Sequence, residues 1–282
     1  MPRIAPSRLI SPHQLQLLEE RMQIYYAGVP DYPAFHTSSH HPLEWQYVLR
    51  AVRGCASANQ APVTILEFGA GRSGFPAWLR HQLMAAGDTT TVQITCQDVT
   101  ATNRNYLQQV ADAVVIAPLH EGVLPSASFN IIFSTHCFEH VARPEQLLHA
   151  LTHLLKAEGS LLLFAPRYDL PFYLSPSCSD LSLGQRLLLS LQLQLIRLHC
   201  RLRRCPSFVI DTRPACLDRS FRRDADAIHW VSSHDLELFA HGAGFTIREL
   251  DISRHAPAFS KQWLIDAFCK LSIELRKQSS LG

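Results

Sequence analysis

The chain has 282 residues, of which 47% are hydrophobic and 18% charged, enough apolar material for one large folded domain with additions. A formal net charge of +2 argues against the strongly basic surface on which nucleic-acid binding usually depends. Eight cysteines without a C-x-x-C pair indicate reduced thiols, and no apolar run reaches the length of a membrane span. The N-terminal residues also lack the apolar stretch of a secretion signal, so we expect a cytoplasmic protein without a nucleic-acid partner.

The residues 1–60 are predicted to form a helical cap. Ser11 and Pro12 are residue types that begin helices, and the apolar spacing that follows them predicts a helix. A second helix is predicted over 42–54, after an aromatic loop at 25–41 whose three histidines we interpret as surface residues rather than metal ligands. Two placements of this segment remain open: a cap over the functional site, or an extension packed on the edge of a sheet.

A glycine-rich turn follows the first predicted strand of the core. Four mostly apolar residues, 63–66, lead to the carboxylate of Glu67, and the residues 69–74 then match the pattern G-x-G-x-x-G. A helix is predicted over 75–86, with Pro76 in its first turn, where a missing N–H costs little. A strand, a glycine turn and a helix in this order present backbone N–H groups to a nucleotide-like ligand. By itself the motif is also compatible with a nicotinamide dinucleotide or with a tight turn that binds nothing.

Strand and helix patterns alternate through the residues 61–166. The further predicted strands are 91–97, 113–117, 129–134 and 160–165, and a helix is predicted over 143–155. The alternation predicts an α/β fold, with a Rossmann-like, doubly wound, mainly parallel sheet of six to seven strands that binds ligands at its carboxyl edge. Asp98 ends the second strand, where a carboxylate can accept hydrogen bonds from both hydroxyls of a ribose. An ordinary loop aspartate is the alternative.

Four features in this order resemble the class I S-adenosylmethionine-dependent methyltransferases, in particular the type 11-like members of that superfamily. They are the acidic, glycine-rich motif at 67–71, Asp98 after the second strand, the run 124–141 with its Glu-His-Val turn, and the run 154–163. The resemblance covers about 61–166, and a weaker likeness returns at 229–250. It implies S-adenosylmethionine as the cofactor.

The resemblance also implies roles for individual residues. Glu67 would face the methionine amino group of the cofactor, Asp98 would hold its ribose, and residues around Thr135 would line the methyl-transfer channel. The implied cofactor-binding residues are Glu67, Gly69, Ala70, Gly71, Gly74, Asp98 and Thr135. Two positions depart from the family pattern: Ser73 stands where a glycine is frequent, and 118–120 has no clear acidic residue to contact adenine.

The reaction implied by the resemblance is the in-line displacement of a methyl group from a sulfonium onto an oxygen, nitrogen or carbon nucleophile. His136 and His140 are the catalytic candidates, and Tyr168 and His229 are further candidates for a general base. The run 136–140 also matches H-x-x-E-H, the pattern of inverted zinc peptidases. Because this run directly follows a predicted strand, we favour the methyltransferase interpretation and predict no metal site. No Asp/Asn-Pro-Pro-aromatic motif follows that strand, which argues against methylation of nucleobases.

The residues 167–228 exceed an ordinary connection after the fifth strand, so we interpret them as an insertion or lid within a core of 61–255. Inside this insertion, 181–204 is rich in Leu and Arg, contains no acidic residue and is predicted as an amphipathic helix. Its apolar face is predicted to comprise Leu187, Leu188, Leu191, Leu195, Leu198 and Leu202, and its polar stripe Arg186, Ser190, Gln194, Arg197 and Arg201. Three roles remain open for the apolar face: a substrate lid packed over the core, a homodimer interface, or a peripheral membrane contact.

The residues 256–282 are predicted as a C-terminal helix, and no seventh strand is recognised after Leu250. The predicted function is transfer of a methyl group to a small-molecule, lipid-linked or sugar-linked acceptor. Two alternatives come from other classes. An NAD-dependent oxidoreductase would account for the glycine turn and Asp98 but not for Glu67, and a non-catalytic binding module would account for the departures from the family pattern.

Overall fold

The computed structural model describes residues 3–29, 42–58, 62–218, 226–251, 260, 265 and 268–277. The strands are β1 (Ile4–Pro6), β2 (Val63–Phe68), β3 (Val92–Asp98), β4 (Ala113–Ile116), β5 (Phe129–Thr135), β6 (Leu155–Pro166), β7 (Val209–Asp211), β8 (Phe245–Glu249) and β9 (Lys270–Lys277). The helices are α1 (Pro12–Ala27), α2 (Pro42–Ala58), α3 (Phe75–Ala85), α4 (Arg104–Val110), α5 (Pro144–Leu154), α6 (Leu183–Leu202) and α7 (Ser233–Gly242).

A seven-stranded sheet in the order β4-β3-β2-β5-β6-β9-β8 forms the centre of the molecule. The strands β2 to β6 run parallel, and β9 is antiparallel to both of its neighbours. The predicted doubly wound, mainly parallel sheet is therefore confirmed. Central strands such as β2 and β5 are buried on both faces, which is why their sequences are nearly continuous apolar runs rather than alternating ones.

Helices cover both faces of this sheet. On one face, α2, α3 and α4 bury apolar side chains that include Trp45, Phe75 and Leu107. On the other face, α5 and α7 bury Leu148 and Phe239. Two packed layers of helix around one sheet leave the carboxyl edge of the parallel strands as the position where the connecting loops meet.

The C-terminal segment corrects one prediction. Lys270–Lys277 is the strand β9, inserted between β6 and β8, so the helix predicted over 256–282 is wrong for these residues. Lys, Leu, Glu and Arg favour helices, but the segment also alternates polar and apolar residues, with Leu271, Ile273 and Leu275 buried. Pairing on both edges satisfies the backbone of β9 and decides in favour of strand. Most of 252–267 lies outside the described residues.

The N-terminal helix begins as predicted. Ser11 is the N-cap of α1 and accepts a hydrogen bond from the backbone N–H of Gln14 at 3.3 Å, and Pro12 is the first helical residue. The second predicted helix is confirmed as α2. The histidine-containing part of the predicted aromatic loop, 30–41, lies outside the described residues.

The insertion packs together with the N-terminal strand β1. β1 and β7 pair as a two-stranded antiparallel sheet, and α6 packs against them, with Leu189 and Leu193 buried beside Ile4, Val209 and Trp230. Ser182 starts α6 with a capping box that Gln185 completes. The predicted helix within 181–204 is therefore confirmed.

The predicted apolar face of α6 points away from the core. Its six leucines are each 47–78% exposed, whereas Ser190 and Arg197 from the predicted polar stripe are buried. Arg197 donates hydrogen bonds to the carbonyl oxygens of Tyr168 and Trp230, and Ser190 accepts one from the backbone N–H of Phe172. Buried backbone groups need partners, so the polar stripe faces inwards where it supplies them. The apolar face of α6 consequently does not cover the core as a lid.

In the described part of the chain, no helix is both long and apolar enough to cross a membrane.

Candidate active site

The candidate site lies where the sheet changes direction. From β2 the chain proceeds outwards through β3 and β4, and then returns to β5 on the other side of β2. The carboxyl ends of β2, β3 and β5 therefore lie side by side, ending at Phe68, Asp98 and Thr135. Open α/β sheets bind their ligands in the crevice at such a switch point.

The glycine turn is fastened to the end of β3. Gly69 and Gly71 have φ values of +62° and +55°, a region in which side chains other than glycine are strained. The backbone N–H groups of Gly69, Ala70 and Gly71 donate to Gln97 Oε1, to the Gln97 carbonyl and to Asp98 Oδ2, at 3.1, 2.8 and 2.8 Å respectively. Gly74, the last glycine of the motif, is the N-cap residue of α3 with an ordinary φ of −91°. The turn is thus a defined loop held by the neighbouring strand.

Glu67 lies beneath this turn with its carboxyl group buried. Ser73 Oγ donates a hydrogen bond of 2.7 Å to Glu67 Oε1 and accepts one from the backbone N–H of Phe75. Burial raises the pKa of Glu67 to about 8, against the opposing effect of hydrogen bonds from Ser73 and Cys96. Ser73, which departs from the family pattern, therefore links the acidic residue of the motif to the start of α3.

Asp98 connects two loops at the end of β3. Its Oδ2 accepts from Gly71 N at 2.8 Å, and its Oδ1 accepts from Thr100 N at 3.0 Å and Thr100 Oγ at 3.3 Å. Burial raises the pKa of this carboxyl group, although these hydrogen bonds favour its ionised form. A carboxylate has about four acceptor positions, so three hydrogen bonds leave room for a further donor.

The turn after β5 brings the two predicted catalytic histidines to one carboxylate. Glu139 is 4% exposed, and its Oε1 lies 3.7 Å from His136 Nδ1 and 3.8 Å from His140 Nε2. Burial alone would raise the pKa of Glu139, but His140 and His136 hold it below its ordinary value. His136 has a φ of +53°, and its backbone N–H donates to the Phe164 carbonyl at 2.7 Å. Thr135 precedes it as the last residue of β5.

Residues distant in sequence complete this cluster. The backbone N–H groups of Ile228 and His229 both donate to the Glu139 carbonyl, at 2.9 and 2.8 Å. His140 Nδ1 lies 3.0 Å from the Asp226 carbonyl, and Tyr26 of α1 donates a hydrogen bond of 2.7 Å to Asp226 Oδ2. The sequence predicted no role for Asp226, Tyr26 or the Glu139 carboxylate, and no local pattern indicates the position of the first two.

Two predicted base candidates are excluded by burial. His229 is fully buried, its Nδ1 lies 3.1 Å from the Phe138 carbonyl, and burial lowers its pKa to about 4, so the ring is neutral. Tyr168 is 2% exposed and stacked against Tyr173, and burial raises its pKa well above the ordinary value. Both side chains are parts of the packed interior.

Helix α1 lies across the carboxyl edge of the sheet. Glu19 Oε2 is 3.2 Å from Arg143 Nε, which follows β5, and 3.7 Å from His120 Nε2, which follows β4. Leu119, in the segment where the family pattern has an adenine-contacting residue, is buried in the core. Among the described residues, no group of three or more His, Cys, Asp or Glu side chains is arranged to hold a metal ion.

Two of the solved structures that are similar to this chain are methyltransferases. The chain is similar to the plantazolicin methyltransferase BpumL in complex with S-adenosylhomocysteine, with 14% identity, a TM-score of 0.51, and coverage of 95% of this chain and 98% of that one. It is also similar to the 1,6-didemethyltoxoflavin-N1-methyltransferase of Burkholderia thailandensis, with 16% identity, a TM-score of 0.51, and coverage of 98% and 95%. At these identities the likeness establishes a shared fold. No curated protein matches the sequence.

A protein-family model described as a methyltransferase domain matches residues 43–250, most of the chain. The chain therefore belongs to this family and is an S-adenosylmethionine-dependent methyltransferase. The resemblance stated from the sequence motifs is confirmed, and the NAD-dependent oxidoreductase interpretation is set aside.

Proposed function

We propose that this methyltransferase modifies a hydroxyl or amine of a small-molecule acceptor, with His136 as the general base. The observation that carries the proposal is the buried Glu139 carboxylate between His136 and His140, next to the glycine turn. An ionised carboxylate beside an imidazole stabilises the imidazolium that forms when the ring takes a proton. His136 is the more exposed of the two rings, at 34% against 20% for His140, and is therefore the one placed to meet an acceptor.

The glycine turn, Glu67, Asp98 and Thr135 fit the cofactor. Gly71 presents backbone without a Cβ at positive φ, which permits a ligand to approach closely. Asp98 retains an acceptor position for a ribose hydroxyl, and the carboxyl group of Glu67 lies under the same turn, where it would face a cationic amino group. When bound, S-adenosylmethionine supplies a methyl group already activated by its sulfonium.

The chain's own residues supply position and proton transfer. The Glu139 carboxylate orients both histidines, and the loop at Asp226 holds the Glu139 backbone in place through Ile228 and His229. Since the sulfonium makes the methyl group electrophilic, alignment of the acceptor and removal of its proton are the tasks left to the protein.

The position of helix α1 favours a small acceptor. Its contacts from Glu19 to Arg143 and from Tyr26 to Asp226 tie it across the edge where the acceptor has to enter. We infer that α1 is a cap over the site rather than an extension on the sheet edge. The Burkholderia thailandensis enzyme, which binds 1,6-didemethyltoxoflavin, is a small-molecule methyltransferase with the same fold.

Calorimetric titration tests the cofactor assignment. S-adenosylmethionine and S-adenosylhomocysteine are expected to bind with micromolar affinity, and NAD is not. Purified protein is then incubated with methyl-labelled S-adenosylmethionine and fractions containing small metabolites, lipid-linked or sugar-linked compounds. Transfer of label to a water-soluble small molecule supports the proposal. Transfer of label only to lipid-linked or sugar-linked compounds would overturn the proposal of a small-molecule acceptor.

His136→Gln tests the base with the acceptor found in that screen. We expect kcat to fall by about 10²–10⁴-fold, with the affinity for S-adenosylhomocysteine unchanged. His153→Gln, at an exposed position of α5, is the matched control. A His136→Gln enzyme with the activity of the wild type would remove this assignment while leaving the cofactor site intact.

A further inference from the structure

One face of helix α6 is apolar and open to solvent. It consists of Leu183, Leu187, Leu188, Leu191, Leu195, Leu198 and Leu202, which are between 47% and 78% exposed. These positions share one side of the helix over its full length of 20 residues. We name this set the leucine face. Contiguous apolar patches of this kind on soluble proteins mark surfaces for another molecule or a membrane.

The orientation of α6 is held from its opposite side. Leu193 is fully buried, and Arg197 donates to the carbonyl oxygens of Tyr168 and Trp230, the second at 3.1 Å. Rolling the helix to bury the leucine face would leave those carbonyls without partners and would expose Leu193. The leucine face is therefore a stable outward surface of the folded chain.

The surroundings of the leucine face are positively charged. From 181 to 210 the chain contains five arginines and no Asp or Glu. Arg201, Arg203 and Arg204 are exposed at the end of α6, and Arg186 is exposed at its beginning. An amphipathic helix with arginines at the borders of an apolar face has the composition of helices that lie in the plane of an anionic membrane surface.

Two apolar side chains of neighbouring segments widen this surface. Leu9, 72% exposed, borders a groove whose other walls include Leu195, His199 and Arg203 of α6. Phe172, 70% exposed, is on the segment whose backbone is bonded to Ser190, beside the other border of α6. The exposed apolar surface therefore extends beyond one helix on both sides.

We propose that the leucine face binds the surface of an anionic lipid bilayer, with α6 lying in the interfacial plane. Charge complementarity selects this partner over a second copy of the chain. A two-fold interface between two α6 helices would bring arginines together with no acidic residue on either helix to pair with them. Anionic headgroups supply the missing negative charge while the acyl region takes the leucines. This inference does not depend on the identity of the methyl acceptor.

Vesicle cosedimentation tests the proposal with the full-length protein. Wild-type protein is expected to sediment with vesicles of phosphatidylcholine and phosphatidylglycerol, to bind pure phosphatidylcholine vesicles at least about tenfold more weakly, and to be released as salt is raised. The variant Leu187→Gln/Leu191→Gln/Leu198→Gln is expected to lose at least about tenfold in affinity for the mixed vesicles. Because these side chains are exposed, its thermal unfolding should match that of the wild type.

The matched control is Leu17→Gln/Ile24→Gln/Met84→Gln, which replaces exposed apolar residues on α1 and α3 that are 46%, 73% and 73% exposed. It should bind vesicles as the wild type does. Wild-type protein that binds neither kind of vesicle overturns the proposal, as does a leucine variant that binds as well as wild type. Sedimentation equilibrium tests a third outcome. If the wild type is a dimer, the leucine variant is a monomer and neither binds vesicles, the proposal is overturned and the leucine face is an interface between two copies of the chain.

Discussion

Gly69 lies directly against Cys137, so that the glycine turn after β2 and the turn after β5 touch through a residue without a side chain. A Cβ built on Gly69 would overlap Cys137 Sγ and would lie 2.5 Å from Cys137 Cβ. The backbone of Gly69 also has a φ of +62°. Two independent requirements, close approach and left-handed backbone, therefore demand glycine at this position. The contact joins the loop proposed to hold the cofactor to the loop proposed to carry the base.

Gly69→Ala is expected to lower the free energy of unfolding by about 2–4 kcal/mol, because it combines backbone strain with overpacking. Urea denaturation measures this change. Gly87→Ala is the matched control, since Gly87 has a φ of +64° but open space around its Cβ position. It should lower the free energy of unfolding only by the backbone strain, about 1–2 kcal/mol. Equal losses in the two variants would show that the contact with Cys137 carries no energy.

Glu67→Gln is expected to change how stability depends on pH. The folded-state pKa of Glu67 is about 8, above its ordinary value of 4.5, so between these values unfolding releases a proton. Wild-type stability therefore contains a contribution that is present below pH 4.5 and is lost as pH rises towards 8. The glutamine does not titrate, so its stability relative to wild type should rise across that window by a few kcal/mol, at about 1.4 kcal/mol per pKa unit.

Chemical denaturation at pH 5, 6, 7 and 8 measures this trend for both proteins. Glu20→Gln, at an exposed position of α1, controls for the loss of one carboxyl group. A stability difference between Glu67→Gln and wild type that stays constant from pH 5 to 8 would contradict the raised pKa of Glu67.

Asp98→Ala is expected to weaken binding of S-adenosylhomocysteine by about 1–3 kcal/mol, because it removes the acceptor proposed for the ribose and frees the N–H of Gly71. Isothermal titration calorimetry measures the change. Asp88→Ala is the control, because Asp88 is also an aspartate that accepts hydrogen bonds within a loop, from Thr90. It lies near the amino end of β3. Unchanged affinity in a folded Asp98→Ala protein would remove the ribose assignment.

A pair of leucine variants tests the orientation of α6. Leu193→Ala is expected to lower the free energy of unfolding by about 2–5 kcal/mol, because Leu193 is fully buried against the small sheet of β1 and β7. Leu195 lies two residues further on and is 57% exposed. The free energy of unfolding of Leu195→Ala should therefore stay within about 0.5 kcal/mol of the wild type. Thermal or urea unfolding compares them directly. The reverse order of effects would mean that the leucine face is the buried one.

Local patterns were sufficient for much of the fold. The apolar run before Glu67, the glycine turn and the alternation of strands and helices predicted the parallel sheet, and the motif order predicted the methyltransferase family. These features can be predicted from sequence because they depend on short-range constraints. Those constraints are the backbone conformation at Gly69 and Gly71 and the continuous burial of the central strands. The residue types of α6 likewise predicted a helix.

Contacts between residues distant in sequence decided the features of the fold that local patterns did not predict. Ser190 and Arg197 of α6 face inwards, where Arg197 donates hydrogen bonds to the carbonyl oxygens of Tyr168 and Trp230, and periodicity does not encode such contacts. The C-terminal segment is the strand β9 because its backbone pairs with β6 on one edge and with β8 on the other. Asp226 and Tyr26 both contact His140, although they lie 86 and 114 residues from it in the sequence. No sequence spacing predicts a contact over such separations. By itself the sequence predicted the class of enzyme and its parallel sheet. The tertiary structure alone decided which side chains surround His136 and which face of α6 meets the solvent, because both depend on partners that only folding brings together.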